Sequence, residues 1–222
     1  MPVAVITGAS RGLGRALASE LATRGWSLVL DARNENALTT SSAALPGGPH
    51  RAIRGDVTDP AHRRELVEAA DGLGGADLLV NNASSLGASP LPAFADLDPA
   101  TYTRVLEVNV VAPMALVRDL LPGLRERGGR VIAITSDASI EPYETWGAYG
   151  SSKAALDHAT RILAAEEPSL KVYAVDPGDL RTEMHQAAFP GEDISDRPDP
   201  ASVAPRLVEL VLGDTASGRL VA

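Results

Sequence analysis

Cysteine is absent from the 222 residues, which removes disulfide frameworks, thiol catalysis and cysteine-ligated zinc and fits a reducing compartment. Aromatic residues are scarce at 4%, so any core must be built from Ala, Val, Leu and Ile, and 45% hydrophobic residues are enough to build one. Disordered and fibrous classes are excluded. Positive charge is short: 20 Lys plus Arg stand against 29 Asp plus Glu, a net charge of −9 that disfavours phosphate backbones, so no nucleic-acid partner is expected. No apolar run approaches the roughly 18 residues of a membrane span, and Met1-Pro2-Val3 shows no charged leader. A cytoplasmic chain without a membrane partner is the expectation. His50, His62, His158 and His185 have no ligand spacing, so no metal site is expected. The length is compatible with one domain over residues 1–222, without repeats or linkers.

What is present is an alternation of short apolar runs and helical periodicity. Val3 to Ile6 reads as a buried strand, followed by a glycine-rich turn. Leu13, Leu17 and Leu21 recur at four-residue spacing until Gly25, as on a helix. Leu28 to Leu30, a weaker Ala52 and Ile53, Leu78 to Val80, Val131 to Ile134 and Val172 to Val175 are further strands. Asp98 to Arg127 reads as one long helix with Asp98 as N-cap, Pro99 at its first position, Pro113 as a kink and Gly128-Gly129 as its end. Another helix runs from near Trp146 to around Pro168, and a last apolar stripe covers Val203 to Leu212. Such alternation predicts a doubly wound parallel sheet of about seven strands with helices on both faces. The one long irregular stretch, Gln186 to Pro200, suggests a lid.

Gly8, Gly12 and Gly14 lie between the first strand and the first helix, where glycines permit a tight turn and let backbone N–H groups approach a pyrophosphate. No Gly-Lys-Ser/Thr follows, so the turn suits a dinucleotide rather than a nucleoside triphosphate. The run Thr7-Gly8-Ala9-Ser10-Arg11-Gly12-Leu13-Gly14 resembles the cofactor motif of the short-chain dehydrogenase/reductase superfamily, a Rossmann-like fold. Asp56-Val57 resembles its adenine-contacting pair. Asn81-Asn82-Ala83-Ser84 resembles its Asn-Asn-Ala-Gly motif on the cofactor floor, with Ser84 departing from the usual glycine. Pro177-Gly178-Asp179-Leu180-Arg181-Thr182 resembles the segment that holds the nicotinamide carboxamide, with Thr182 at the hydroxyl-bearing position.

The end of the second strand in this fold reads the adenosine ribose: an acid accepts from the hydroxyls of NAD, and an arginine pairs with the phosphate of NADP. Here the residues are Asp31-Ala32-Arg33. Aligned on the family, Ala32 occupies the site of the acid, with Arg33 after it and Arg11 before the second motif glycine. The resemblance implies NADP(H) as the preferred cofactor, with NAD(H) open because Asp31 could act as the acid.

Tyr149 and Lys153 stand four residues apart on one helical face. A free tyrosine titrates near about 10, and a neighbouring cation stabilises phenolate over phenol, so Lys153 can tune Tyr149 toward an acid/base. Alone, such a pair is more often structural than catalytic; here the context reverses that. The resemblance places Ser136, thirteen residues before Tyr149, at the serine that hydrogen-bonds the substrate oxygen. It places Asn109 at the asparagine that distorts the long helix and holds a water in the relay to Lys153. It also implies that Tyr149 and Lys153 touch the cofactor.

Asp137, Tyr143, Trp146, Met184, His185 and Phe189 flank the predicted site and are candidates to line a substrate pocket, with a lid at about 184–200. The substrate would be a small carbonyl compound or alcohol. The resemblance implies a homodimer or homotetramer through the helices carrying Asn109 and Tyr149, and a shortened last strand at Arg219-Leu220-Val221-Ala222. Two other readings stand beside it: an NAD-dependent alcohol dehydrogenase, and an NADP-sensing regulatory protein without turnover.

Overall fold

Along Val3–Ile6 (β1) successive side chains point to opposite faces, and both faces are apolar: Val3 and Val5 enter one core, Ala4 and Ile6 the other. A strand buried on both sides belongs in a parallel sheet covered by helices twice over. The computed structural model, which describes residues 1–221, realises this with six further strands. They are Ser27–Ala32 (β2), His50–Arg54 (β3), Leu78–Asn81 (β4), Arg130–Ile134 (β5), Lys171–Asp176 (β6) and Gly218–Val221 (β7). Every pairing is parallel, in the order β3-β2-β1-β4-β5-β6-β7. The chain therefore winds outward from β1 one way and returns to wind the other, leaving a switch point between β1 and β4 where ligands of such sheets bind. The last strand, β7, pairs over four residues from Gly218 to Val221; Ala222 of the sequence motif lies outside the described residues.

The helices are Gly12–Thr23 (α1), Glu35–Ala43 (α2), Pro60–Gly72 (α3), Pro99–Leu106 (α4), Ala112–Arg127 (α5), Gly147–Glu166 (α6), Glu183–Ala188 (α7) and Pro200–Leu212 (α8). Leu17 and Leu21 of α1, Leu38 of α2 and Leu207 and Val211 of α8 pack on one face, against Ile6, Leu28, Leu30 and Ile134. Leu66 of α3, Leu116, Leu120 and Leu124 of α5 and Leu163 of α6 pack on the other, against Val5, Val29, Leu79 and Val131. Full burial of such a side chain contributes about 1.5–3 kcal/mol, so the two cores hold the strand ends rigidly. Among the described residues no helix is long and apolar enough to cross a membrane.

Two expectations need correction. The helix after Asp98 starts as read, with the Asp98 carboxylate accepting from Thr101 N and Pro99 at the first position. Its interruption, however, is a π turn over Glu107–Val111, ahead of Pro113. Pro113 falls in the first turn of α5, where a missing N–H costs little. The stretch from Gln186 is also not irregular throughout. Thr182 Oγ1 accepts from His185 N and caps α7, so only residues 189–199 are left outside regular structure before Asp199 caps α8.

Candidate active site

The turn after β1 is held by side chains from the end of β4. Thr7 Oγ1 accepts from Asn82 N and Ala83 N, both at 3.0 Å, while Asn82 Nδ2 donates to the carbonyls of Thr7 and Gly8 at 2.9 and 3.1 Å. That stitching leaves no room for side chains. A Cβ on Gly14 would stand 2.4 Å from both Asn82 Nδ2 and Gly8 O, and Gly8 combines a φ of +66° with Ala83 Cα at 3.0 Å from its hypothetical Cβ. Gly12 (φ +53°) faces the Thr182 methyl, so the loop after β6 comes over the first turn. Leu13 turns its side chain into the core and Leu180 joins the same cluster, so what either offers a ligand is backbone.

Among the described helices that follow loops, only α1 and α6 start without a side-chain cap. Asn34, Asp59, Asp98, Thr182 and Asp199 cap α2, α3, α4, α7 and α8, but Arg11 gives α1 no side-chain cap and no acid lies in its first turn. Its N–H groups are left for an anion, which the helix dipole favours. Ser10 stands half-buried beside them. The residues present therefore fit the pyrophosphate of a nicotinamide dinucleotide.

At the adenosine side, Ala32 ends β2 buried and uncharged, and Arg33 follows exposed with no ion pair among the described residues. Arg11 is paired with Glu183 across the mouth, both side chains exposed. Asp31 is not available at the strand end. Its carboxylate is buried 2.7 Å from His62 Nε2, and burial pushes it upward against the pull of that histidine. The Asp56 carboxylate accepts from Thr58 and from Arg104 Nη2 at 2.6 Å; burial pushes it up, but these bonds outweigh that and hold it below the ordinary value. Val57 packs with Val108 and Ala112, with Ala83 against them.

The catalytic candidates meet at the carboxyl ends of β4 and β5. Gly150 lets α6 approach the segment after β5, its hypothetical Cβ being 3.0 Å from Ala138 O. That approach sets Tyr149 near Ser136 and Ser84, whose hydroxyls pull its titration down. Burial, reinforced by Asp137 and Asp176, wins and raises the phenol far above its ordinary value. Lys153 is fully buried, its Nζ donating to Ile134 O at 2.7 Å and lying 5.4 Å from the Tyr149 ring centroid; burial lowers it to about 7. The expected stabilisation of phenolate by this ammonium is thus not a property of the protein alone, because desolvation acts on both groups.

Asn109 lies fully buried in the π turn, and its amide is satisfied within the protein. Nδ2 donates to Ser85 O and Ser152 Oγ, both at 2.9 Å, and Oδ1 accepts from Ser85 N and Ser84 Oγ at 2.8 and 3.2 Å. Ser84, in place of the family glycine, is therefore one of its partners.

The predicted pocket residues assemble as an aromatic wall. Trp146 packs edge-on to Tyr149 at 5.5 Å between ring centroids and to Tyr143 at 6.1 Å, and meets Phe189 at 5.7 Å; Phe189 in turn meets His185 at 4.9 Å. Met184 is half-buried on the same short helix. Asp137 sits on the rim, accepting from Ser136 Oγ and Tyr143 OH. Gly178 (φ +70°) turns the chain after Pro177, its N–H donating to Asp176 Oδ1.

Sequence reasoning missed Arg219. From β7 its guanidinium reaches Asp157 on α6 (2.6 Å), Asp176 at the end of β6 (3.0 Å), Ser139 Oγ (3.1 Å), Thr135 Oγ1 (3.3 Å) and Ser136 O (3.4 Å). The only signal was an arginine in an apolar terminal run.

The profile of the short chain dehydrogenase family matches residues 2–193. Over 185 residues the chain is 35% identical to an uncharacterised oxidoreductase of Saccharomyces cerevisiae, covering 82% of this chain and 72% of that one. It is 36% identical over 199 residues to sepiapterin reductase of Xenopus laevis, covering 83% and 75%. Among solved structures it is similar to the KRED1-Pglu enzyme (TM-score 0.89, 32% identity, all of both chains). An alcohol dehydrogenase from Thermococcus sibiricus complexed with 5-hydroxy-NADP is also similar (TM-score 0.87, 26% identity, 100% and 96% covered).

Proposed function

The chain belongs to the short-chain dehydrogenase/reductase superfamily, whose members are oxidoreductases that bind NAD(P)(H), and from that premise we propose that it is an NADP(H)-dependent enzyme interconverting a carbonyl and an alcohol, with Tyr149 as general acid/base. The observation that carries this reading is the meeting of Tyr149, Ser136 and Lys153 at the strand ends beside the uncapped start of α1. A bound nicotinamide supplies the hydride. Gly8, Ser10, Gly12, Leu13 and Gly14 present backbone to the pyrophosphate. Asn82, Ala83 and Ser84 form the floor, and Asp56 and Val57 border the adenine. Pro177, Gly178, Leu180 and Thr182 hold the carboxamide end.

Tyr149 gives its proton to the carbonyl oxygen, and Ser136 holds that oxygen in place. In the protein without cofactor burial favours the protonated phenol, the form that reduction uses, whereas oxidation must first draw the proton away. Reduction should accordingly run flat through neutral pH while alcohol oxidation rises with pH. Lys153, now on Ile134 O, would hold the ribose hydroxyls of a bound cofactor, which would couple cofactor placement to the tyrosine. Asn109 holds the π turn open for a relay water.

Support for NADP(H) over NAD(H) comes from Ala32 at the ribose position, exposed Arg33 beside it, and Arg11 at the turn. The test is a fluorescence titration with NADPH, NADP⁺, NADH and NAD⁺. Trp146, packed on Tyr149, is the reporter; Trp26 precedes β2 at the opposite end of the sheet. Selective NADPH binding is expected, and equal binding of NADH overturns the preference.

Residues from about 184 to 200 are assigned as a substrate lid. Phe189 packs on Trp146, Ser89 Oγ donates to Ala187 O, and an open cavity of about 620 Å³ lies between Ser89, Gln186 and Pro190. Amide exchange over this segment should slow when cofactor and substrate are both present; equal exchange contradicts a lid. A homodimer or homotetramer through the helices carrying Asn109 and Tyr149 agrees with the exposure of Val111 and Ile162, and mass in solution tests it. A cytoplasmic location belongs to the same reading.

A further inference from the structure

Ser136 has one hydroxyl proton, for which Tyr149 and a neighbouring carboxylate compete. It is donated to Asp137 Oδ1 at 2.8 Å, while Ser136 Oγ accepts from Ala138 N at 3.2 Å. The other carboxylate oxygen, Oδ2, accepts from Tyr143 OH at 2.8 Å, and Ala138 N also donates to Oδ1. Asp137 is an exposed residue all the same. Burial pushes its carboxyl up, but the bonds from Ser136, Tyr143 and Ala138, with the charge of Arg219, hold it below the ordinary range. An ionised carboxylate therefore stands directly against the serine that is to position the substrate oxygen, on the aromatic wall that runs from Tyr143 through Trp146 to Tyr149.

The basic groups around this mouth are already taken. Arg219 is held by Asp157 and Asp176 behind Ser136, Arg197 by Asp196 and Asp179, Arg11 by Glu183 and Arg181 by Asp199. Lys153 is buried on Ile134 O. A carboxylate or phosphate on the substrate would meet Asp137 and would have to draw one of these cations from its partner, as the cofactor phosphate must draw Arg11 from Glu183. An N–H donor or an ammonium would meet a carboxylate with capacity left, beside aromatic faces that favour both planar rings and cations.

We infer that the substrates of this enzyme are aromatic carbonyl compounds bearing an N–H donor or a cationic nitrogen, and that Asp137 is the residue that selects them over anionic carbonyls. The inference rests on the carbonyl-reductase reading and adds the substrate class to it.

The experiment measures kcat/KM with NADPH for the full chain on acetophenone and on its para-aminomethyl and para-carboxylate derivatives, which at neutral pH are neutral, cationic and anionic. Wild type should favour the cation over the anion by about tenfold or more, the scale of one charged hydrogen bond. Asp137→Asn and Asp137→Ala should compress that ratio toward one, while Asp137→Glu keeps the ranking. The ratio divides out any change in folding or in Ser136, because both substrates meet the same variant. Turnover with a ratio that Asp137→Asn and Asp137→Ala leave unchanged, or a wild-type preference for the anion, overturns the inference alone. No turnover of any of the three by wild type with NADPH or NADH overturns it together with the carbonyl-reductase reading.

Discussion

The two halves of the sheet build their parts of the site by different means. Around β1 to β4 the binding surface is backbone: an uncapped helix start, glycines whose side chains would collide with Asn82 and Gly8, and amide groups stitched to Thr7. Around β5 to β7 it is side chain: a phenol, an ammonium and a carboxylate placed by aromatic packing and by one half-buried guanidinium. Backbone surfaces are specified by what is missing, chiefly Cβ atoms, and tolerate no additions. Side-chain surfaces are specified by contacts between distant segments, and single atoms can be removed from them without moving the frame.

The largest effect should come from the second half. Tyr149→Phe removes one oxygen from a packed ring, so the melting temperature and NADPH affinity should stay near wild type while turnover falls by about 10²–10⁴, the usual worth of a general acid. Single-turnover kinetics beside a binding titration checks this; wild-type turnover would remove Tyr149 from its role. In the first half the reverse pattern is expected. Gly14→Ala places a methyl group against Asn82 and Gly8 O and should cost about 1–3 kcal/mol of stability together with cofactor affinity. Gly123→Ala, a helical glycine of ordinary φ that meets nothing within 4 Å, is the control. If denaturant midpoints show Gly14→Ala no worse than Gly123→Ala, close packing is not what the glycine serves.

Arg33→Ala tests a side chain working inside the backbone half. NADPH affinity should drop about tenfold, as for loss of one charge-assisted bond, with NADH affinity unchanged. Calorimetric titration decides it, and an equal drop for both nucleotides would show that Arg33 does not read the phosphate.

A separate effect, independent of cofactor, is on stability. Lys153 is lowered from 10.5 to about 7 by burial, so between those values the unfolded chain binds more protons than the folded one. Stability must then rise with pH across that window, and the gain is absent below about 7. Melting curves of the protein without cofactor should show this slope, and Lys153→Met should flatten it; an unchanged slope assigns it to another group.

The contrast between the halves also explains what was legible. Strand runs buried on both faces, such as Val3–Ile6 and Val172–Val175, announce themselves as apolar clusters, and the winding follows from their alternation with helices. Glycines and the Tyr149–Lys153 spacing are local patterns. The distortion at Asn109 was legible only through the family resemblance; from the residues alone Pro113 was the stronger local signal, because Ser84, Ser85 and Ser152, the partners of Asn109, come from elsewhere in the chain. Asp31 looked like a candidate ribose acid until His62, 31 residues later, claimed it. Thr182 as the cap of α7 was missed because the same hydroxyl was read for a ligand. The raised titration of Tyr149 follows from its burial, which no spacing states.

Arg219 has a consequence for how the protein is made. Its partners Thr135, Asp157 and Asp176 lie 84, 62 and 43 residues earlier in the chain. During translation, the strands that form the phosphate-binding turn leave the ribosome well before this guanidinium exists. The nascent chain can therefore assemble the turn after β1 early, while Asp176 waits without its cation and the end of β5 without its tether; Asp157 has Arg161 four residues on. The last of these contacts arrive in one late event, the docking of a four-residue strand.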